Sequence, residues 1–68
     1  MFIITMRDED GTHFLEWLML SEKSCSWAGC RRAALVFHTR AYADKVAALV
    51  DAMLTTHDLR GRVKVQPV

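Results

Sequence analysis

Residues 39–56, TRAYADKVAALVDAMLTT, decide the fold class of this chain of 68 residues. Apolar side chains recur in this stretch at spacings of three and four: Tyr42, Val46, Leu49, Val50 and Met53. That period is typical of an amphipathic helix with one face for a core. Thr39 precedes the first turn, where its hydroxyl can accept a hydrogen bond from a free backbone N–H, so we predict that it caps the helix. The stretch therefore predicts a single helix that must pack on another layer.

Short segments before this helix have the pattern of β-strands. Residues 2–7 place Phe, Ile and Met at every second position, which predicts a strand. An Asp-Gly pair follows, and because glycine adopts the positive φ of a tight hairpin, we predict that residues 12–20 return as an antiparallel second strand. The short apolar run at residues 33–38 predicts a third strand, with residues 21–32 as an irregular connection.

A last strand is predicted after the helix. Val63 and Val65 alternate with polar neighbours, and Pro67, which cannot donate to a ladder, predicts the end of that strand or a sheet edge. Residues 57–61 are predicted to end the helix, because their glycine can adopt the left-handed conformation common at that place. The whole chain, residues 1–68, is therefore predicted to be one α+β domain of order βββαβ, a small antiparallel sheet of three to four strands with one amphipathic helix on one face.

The composition is that of a folded and nearly neutral protein. Hydrophobic residues make up 51% of the chain and charged residues 25%, which lies outside the range of disordered chains. The net charge of +1 provides no strong field toward nucleic acid or an anionic membrane, although residues 1–24 are acidic and residues 25–68 basic in balance. The apolar residues 1–6 are too few for a secretory signal or a membrane span. We therefore expect a cytoplasmic protein with no membrane association.

One helix is expected to leave apolar sheet surface uncovered. A helix of about 16 residues is roughly 24 Å long, which covers one face of a small sheet and not two. The side chains predicted to face the helix from the second strand are Leu15, Trp17 and Met19. The side chains predicted to face outward are Phe14, Leu18, Leu20, Ile3 and Val36. This outward set predicts an apolar patch that requires a partner.

The residues with reactive side chains form no recognisable catalytic or metal-binding motif. Cys25 and Cys30 are separated by four residues and three histidines occur elsewhere, which leaves a zinc site, a disulfide and two reduced thiols as alternatives. The reduced thiols are favoured in a cytoplasmic protein. Because no nucleophile stands in a recognisable frame with a base, and no phosphate-binding glycine loop occurs, we expect no enzymatic activity, no cofactor and no metal.

Arginine and tryptophan side chains cluster in the predicted connection. Trp27, Arg31 and Arg32 lie close together in sequence, and Arg40 follows at the start of the helix. Such residues bind single-stranded nucleic acid when they line a groove, and they equally anchor protein interfaces. A further interpretation is that these charges only keep the loop in solvent. The net charge of +1 argues against the nucleic-acid interpretation.

Several motifs extend over nearly the whole chain. They are the N-terminal strand with its Asp-Gly turn, FLEW at residues 14–17, SW at 26–27, ALVFHTRA at 34–41 running into ADKV at 43–46, and VKVQPV at 63–68. In this combination the chain resembles very small proteins encoded by bacteriophages and prophages. The resemblance implies a strand that enters a helix and a short Val-rich strand at the end of the chain. Some small phage proteins, including anti-CRISPR proteins, bind and block a host defence complex.

Size, surplus apolar surface and this resemblance together predict a non-enzymatic protein-binding module that inhibits a host protein complex, with a CRISPR complex as the implied target. The residues predicted to contact the partner are Trp27, Arg31, Arg32, Phe14 and Leu18. Two other functions stay open. One is a nucleic-acid-binding accessory protein, which the charge balance favours less, and the other is a small structural homodimer whose sheet faces stack.

Overall fold

The computed structural model describes residues 1–55 and 63–68, which form one sheet and one helix. The elements are β1 (Phe2–Asp8), β2 (Gly11–Met19), a first 3₁₀ turn (Leu20–Glu22), β3 (Ser24–Ala28), a second 3₁₀ turn (Arg31–Ala33), α1 (Arg40–Thr55) and β4 (Val63–Pro67). The sheet is antiparallel with the strand order β3-β2-β1-β4. The predicted α+β class and βββαβ order are therefore confirmed. The helix end predicted at residues 57–61 lies outside the described residues.

The third strand lies in a different segment from the one predicted. β3 occupies Ser24–Ala28, inside the stretch predicted as a connection, and pairs with β2. Lys23 adopts a left-handed φ of 50°, which closes the short turn between the two strands. Residues 33–38, predicted as a strand, retain one β-bridge, in which Phe37 exchanges two backbone hydrogen bonds of 2.8 and 2.7 Å with Phe2. The prediction of a strand there is wrong. It gave more weight to the apolar content of residues 33–38 than to the hairpin that the tight turn between β2 and β3 makes possible.

A bulge in β2 decides which of its side chains face the helix. Leu15 is opposite Trp27 and Trp17 is opposite Ser26, so Glu16 has no partner across the ladder. Because successive side chains alternate between faces, the extra residue shifts the alternation by one. Leu15 and Leu18 consequently both lie on the helix side, where Leu18 packs against the core.

We call the other side of the sheet the outer face. Trp17 and Met19 lie there after the bulge, together with Phe14 before it. The predicted orientations of Trp17, Met19 and Leu18 are therefore wrong, whereas that of Phe14 agrees with the register.

The core lies between α1 and the sheet. Its buried members are Ile4, Met6, Leu15, Phe37, Ala43, Val46, Val50 and Leu54. The buried stripe of the helix is thus rotated from the predicted one, because Tyr42 and Leu49 are exposed. Ile3 alternates with the core residue Ile4 and so faces outward as predicted, but it is buried. Less apolar surface is left on the outer face than the sequence predicts.

The first hairpin is held by the carboxylate of Asp8. Its Oδ1 accepts a hydrogen bond from the backbone N–H of Asp10 at 2.8 Å and lies 3.0 Å from Nε2 of His13. Gly11 adopts a φ of +124°, which a residue with a side chain adopts only under strain. Desolvation alone raises the pKa of the Asp8 carboxyl, but the hydrogen bonds from His13 and Asp10 outweigh it and hold the pKa below its usual value.

The predicted helix cap is confirmed, and it gives a stability prediction. The backbone N–H of Tyr42 donates to Thr39 Oγ1 at 3.2 Å. We expect Thr39→Ala to lower the free energy of unfolding by about 0.5–2 kcal/mol, because one N–H of the first turn loses its acceptor. Thr39→Ser keeps the hydroxyl, so its free energy of unfolding should stay within about a few tenths of a kcal/mol of the wild-type value. Urea denaturation followed by circular dichroism measures both, and equal losses in the two variants would contradict the capping role.

Candidate functional site

The helix covers only half of the sheet. α1 packs mainly against β4 and β1. A helix is about 10 Å wide and strands are spaced about 4.8 Å apart, so one helix spans roughly two of the four strands. The expectation that one helix covers a whole face is therefore wrong: Leu15 of β2 is buried in the core, but the helix side of β3 is left beside α1 rather than beneath it.

An open groove of about 910 Å³ occupies this uncovered strip. It runs between α1 on one side and β3 with the first 3₁₀ turn on the other. Its lining residues are Met6, Leu20, Lys23, Ser24, Cys25, Trp27, Leu49, Ala52, Met53 and Leu54. We call this feature the groove. Most of the lining is apolar, which is typical of a binding cleft.

The floor of the groove is formed by strand side chains that the sheet register aligns. Cys25 and Trp27 alternate with serines along β3 and point to the helix side. Leu18 is directly opposite Cys25 and, like Cys25 and Trp27, is half-buried against the core. Burial raises the pKa of the Cys25 thiol, and a hydrogen bond with the Trp27 side chain only partly offsets this effect. The floor therefore carries no charge at neutral pH.

The walls come from the helix and from the turn that follows β2. Leu49 and Met53 lie one helical turn apart on the groove side of α1. Leu20 and Lys23 stand on the other side, and both are exposed. Lys23 is the single charged side chain among the described residues that line the groove. The groove thus offers a neutral, apolar strip with one cation at its edge.

The residues predicted to bind a partner lie in three places. Trp27 lines the groove, and Leu18, which lies on the same side of the sheet, packs against the core outside the lining. Phe14 is half-buried on the outer face, opposite Ala28. Arg31 and Arg32 are exposed in the second 3₁₀ turn, where Nη2 of Arg31 donates to the carbonyl of Pro67 at 3.2 Å. The structure thus places Trp27 and Leu18 on the helix side of the sheet and the other three residues elsewhere.

The sequence predicts no binding role for the helix, because Leu49 and Met53 are predicted to lie in the core. Leu20 is predicted to lie on the outer face, in the apolar patch that requires a partner, and this placement is wrong, since it lies in the first 3₁₀ turn and lines the groove. A signal for the helix residues exists, since apolar pairs at positions 49–50 and 53–54 make the apolar arc too wide for one contact with a sheet. The wide arc indicates a helix with apolar neighbours on two sides.

The described residues contain no disulfide, no group of metal ligands and no membrane-spanning helix. Cys25 and Cys30 are both free thiols. In residues 1–55 and 63–68, no three His, Cys, Asp or Glu side chains are grouped as metal ligands. No helix in that part of the chain combines the length and the apolar content needed to span a bilayer.

Comparison of the chain with protein-family models, with curated proteins and with solved structures found no match. What the groove can bind follows from its own shape, polarity and charge.

Proposed function

We propose that this chain is a non-catalytic protein-binding module that acts in the cytoplasm of a host cell and inhibits a defence complex, such as a CRISPR complex, by occupying part of its surface. The observation that carries the proposal is the groove, an open and mostly apolar depression with a volume of about 910 Å³ on a chain of only 68 residues. Surfaces of this kind mark interaction sites on small soluble domains. The resemblance to small phage proteins supports a host complex as the partner.

The residues of the groove suit a protein partner. Trp27 at its floor belongs to the residue type that most often anchors protein interfaces. Leu20 and Leu49 are about half exposed, and because complete burial of a leucine stabilises by about 1.5–3 kcal/mol, a partner that covers either side chain gains roughly 1 kcal/mol. Several such contacts around one tryptophan supply the energy of a specific complex.

Nucleic acid fits the groove less well. Proteins that track a phosphate backbone line the track with lysine and arginine. Lys23 is the single cation among the described lining residues, and Arg31 and Arg32 stand outside the lining. The charge distribution therefore favours protein.

A matched pair of variants tests this function in bacteria. Leu49 is 45% exposed and lines the groove, whereas Val36 is 44% exposed and does not. In strains with active CRISPR systems of several types, we expect the wild type and Val36→Arg to restore plaque formation by a phage that the system targets. Leu49→Arg is expected to fail, because a hot-spot loss of about 2 kcal/mol weakens binding roughly 30-fold.

Two results would contradict the proposal. If the wild type restores plaques in no strain, a CRISPR complex is not the target. If Leu49→Arg restores plaques as well as Val36→Arg does, the groove is not the binding surface. Thermal denaturation of all three proteins provides the control that the variants are folded.

A further inference from the structure

We propose that the outer face of the sheet binds a single strand of nucleic acid. This second function is independent of the groove, because it uses the opposite side of the sheet. The register places two cations there. Thr5 is opposite Phe14 in β2 and opposite Lys64 in β4, and Arg7 lies two residues from Thr5 on the same strand. Because alternate residues of a strand share a face, Arg7 and Lys64 lie on the outer face, and both are exposed.

Arg31 adds a third cation to this face. The second 3₁₀ turn contacts β2, and Nη2 of Arg31 donates to the carbonyl of Pro67 in β4 at 3.2 Å. β1 lies between β2 and β4 in the sheet, and α1 packs against the helix side of β1 and β4. The Arg31 side chain therefore crosses β1 on the outer face. This crossing agrees with the burial of Ile3, which faces outward and is only 2% exposed.

The outer face lacks acidic side chains among the paired residues of the described strands. Asp8 alternates to the helix side, and Glu9 and Asp10 form the turn beyond the end of the face. Glu16 is exposed at the bulge and has no partner across the ladder. Charges in solvent act mainly within a Debye length of about 8–10 Å. The outer face is therefore cationic, although the net charge of the chain is only +1.

An exposed tryptophan lies on the same face. Trp17 is 45% exposed and is opposite Ser26 in β3. Proteins that hold single strands without reading their sequence stack bases on aromatic rings and bind the phosphates with lysine and arginine. In a duplex the bases are already stacked on one another, so an exposed indole favours a single strand. Trp17 and the three cations thus supply both kinds of contact.

Two other occupants fit this face less well. A second copy that stacked its outer face on this one would bring the cations of both copies into one interface, and like charges oppose association. An acidic protein segment pairs with the cations, but the face of an aromatic ring is negative, so carboxylates avoid Trp17. A base is flat and neutral, and its phosphate carries the negative charge. Nucleic acid therefore satisfies the ring and the cations together.

Fluorescence anisotropy of a labelled oligonucleotide tests the inference. The probe is a fluorescein-labelled oligodeoxythymidine of about 12 nucleotides, within the range of site sizes for single-strand binding domains. The full chain is titrated into it at several salt concentrations. Because each phosphate neutralised on a single strand contributes about −0.7 to the slope of log K against log salt, three cations predict a slope of about −2. The affinity should fall roughly 20-fold between about 50 and 200 mM NaCl.

Substitutions separate stacking from charge. Trp17→Ala is expected to weaken binding about 5- to 150-fold through the loss of one stacked base, whereas Trp17→Phe keeps a ring and most of the affinity. Lys64→Gln should bring the salt slope about 0.7 closer to zero. Lys45→Gln is the matched control and should keep the wild-type slope, because Lys45 is exposed on α1, on the other side of the sheet. Circular dichroism checks that the variants are folded.

Several outcomes would overturn the inference. They are no binding at about 50 mM NaCl, where electrostatic binding is strong, equally tight binding of a duplex of the same length, and equal slopes in Lys64→Gln and Lys45→Gln. Displacement of the oligonucleotide by polyglutamate of the same charge would assign the face to an acidic protein. A dimer in sedimentation that Trp17→Ala dissociates would assign it to a second copy. The proposed function is tested separately, because plaque restoration is assigned to Leu49 in the groove and not to Trp17.

Discussion

Replacement of Leu15 by alanine is expected to lower the free energy of unfolding by about 2–5 kcal/mol. Leu15 is 0% exposed and lies on the helix side of β2, within the core and opposite Trp27. A domain of 68 residues has a total stability of roughly 3–10 kcal/mol. The lost contacts and the cavity together remove a large part of this stability, so a substantial fraction of Leu15→Ala should be unfolded at 25 °C.

Leu20→Ala is the matched control for this change. Leu20 is 52% exposed in the first 3₁₀ turn, and truncation of an exposed side chain changes stability by about 0.5 kcal/mol or less. Urea denaturation monitored by tryptophan fluorescence compares the two variants, and Leu15→Val supplies a milder truncation if Leu15→Ala does not fold. Equal shifts of the urea midpoint in Leu15→Ala and Leu20→Ala would show that Leu15 is not part of the core.

The local signals in the sequence were sufficient for the helix and the first hairpin. The helical period ran without interruption from Tyr42 to Met53, the cap at Thr39 was a single residue with a known preference, and the Asp-Gly pair led directly from β1 to β2. Each of these features depends on neighbours within about four residues. Local propensity and pattern therefore determined them before any tertiary contact was known.

The third strand depended on information that local patterns do not contain. Ser24–Ala28 alternates small polar residues with Cys25 and Trp27, which is a strand pattern hidden by its low apolar content. Residues 33–38 are more apolar, yet the structure gives them the single bridge at Phe37. The turn at Lys23 decides between the two segments. Its backbone is left-handed, and because lysine has no preference for that conformation, the sequence does not predict the turn.

The candidate site was predictable only in part, for the same reason. A comparison of the area that one helix covers with the area of the sheet predicts surplus apolar surface. It does not predict where that surface lies. The bulge at Glu16 moves Leu18 to the helix side, and the position of α1 over β1 and β4 opens the groove beside it. Register and the lateral position of a helix are set by long-range contacts, so the sequence pointed to Trp27 and Leu18 without the helix residues that face them.

Val50→Asp is expected to unfold the chain at neutral pH, whereas Leu49→Asp should leave it folded. The two residues are adjacent in α1, and both belong to the apolar stripe predicted from the sequence. Val50 is 0% exposed and its neighbour is 45% exposed. A buried carboxyl without a partner shifts its pKa upward by as much as 3–5 units, and each unit costs about 1.4 kcal/mol at a pH where the unfolded chain is ionised. That penalty approaches or exceeds the total stability expected for this domain.

The sign of the pH dependence separates a buried charge from a general loss of packing. The new carboxyl has a raised pKa in the folded state, so the part of its destabilisation that comes from ionisation grows as the pH rises above about 4 and is nearly absent below the pKa of the unfolded chain, where only the loss of the buried valine remains. Asp8 acts in the opposite direction, because its pKa is lowered and the stability it provides is lost only as the pH falls below about 4. Circular dichroism of Val50→Asp should therefore show more folded protein at about pH 4 than at pH 7, while the wild type is folded at both. Similar stability of the two aspartate variants at pH 7 would mean that the helix is rotated from the orientation described, and that the groove beside Leu49 does not exist.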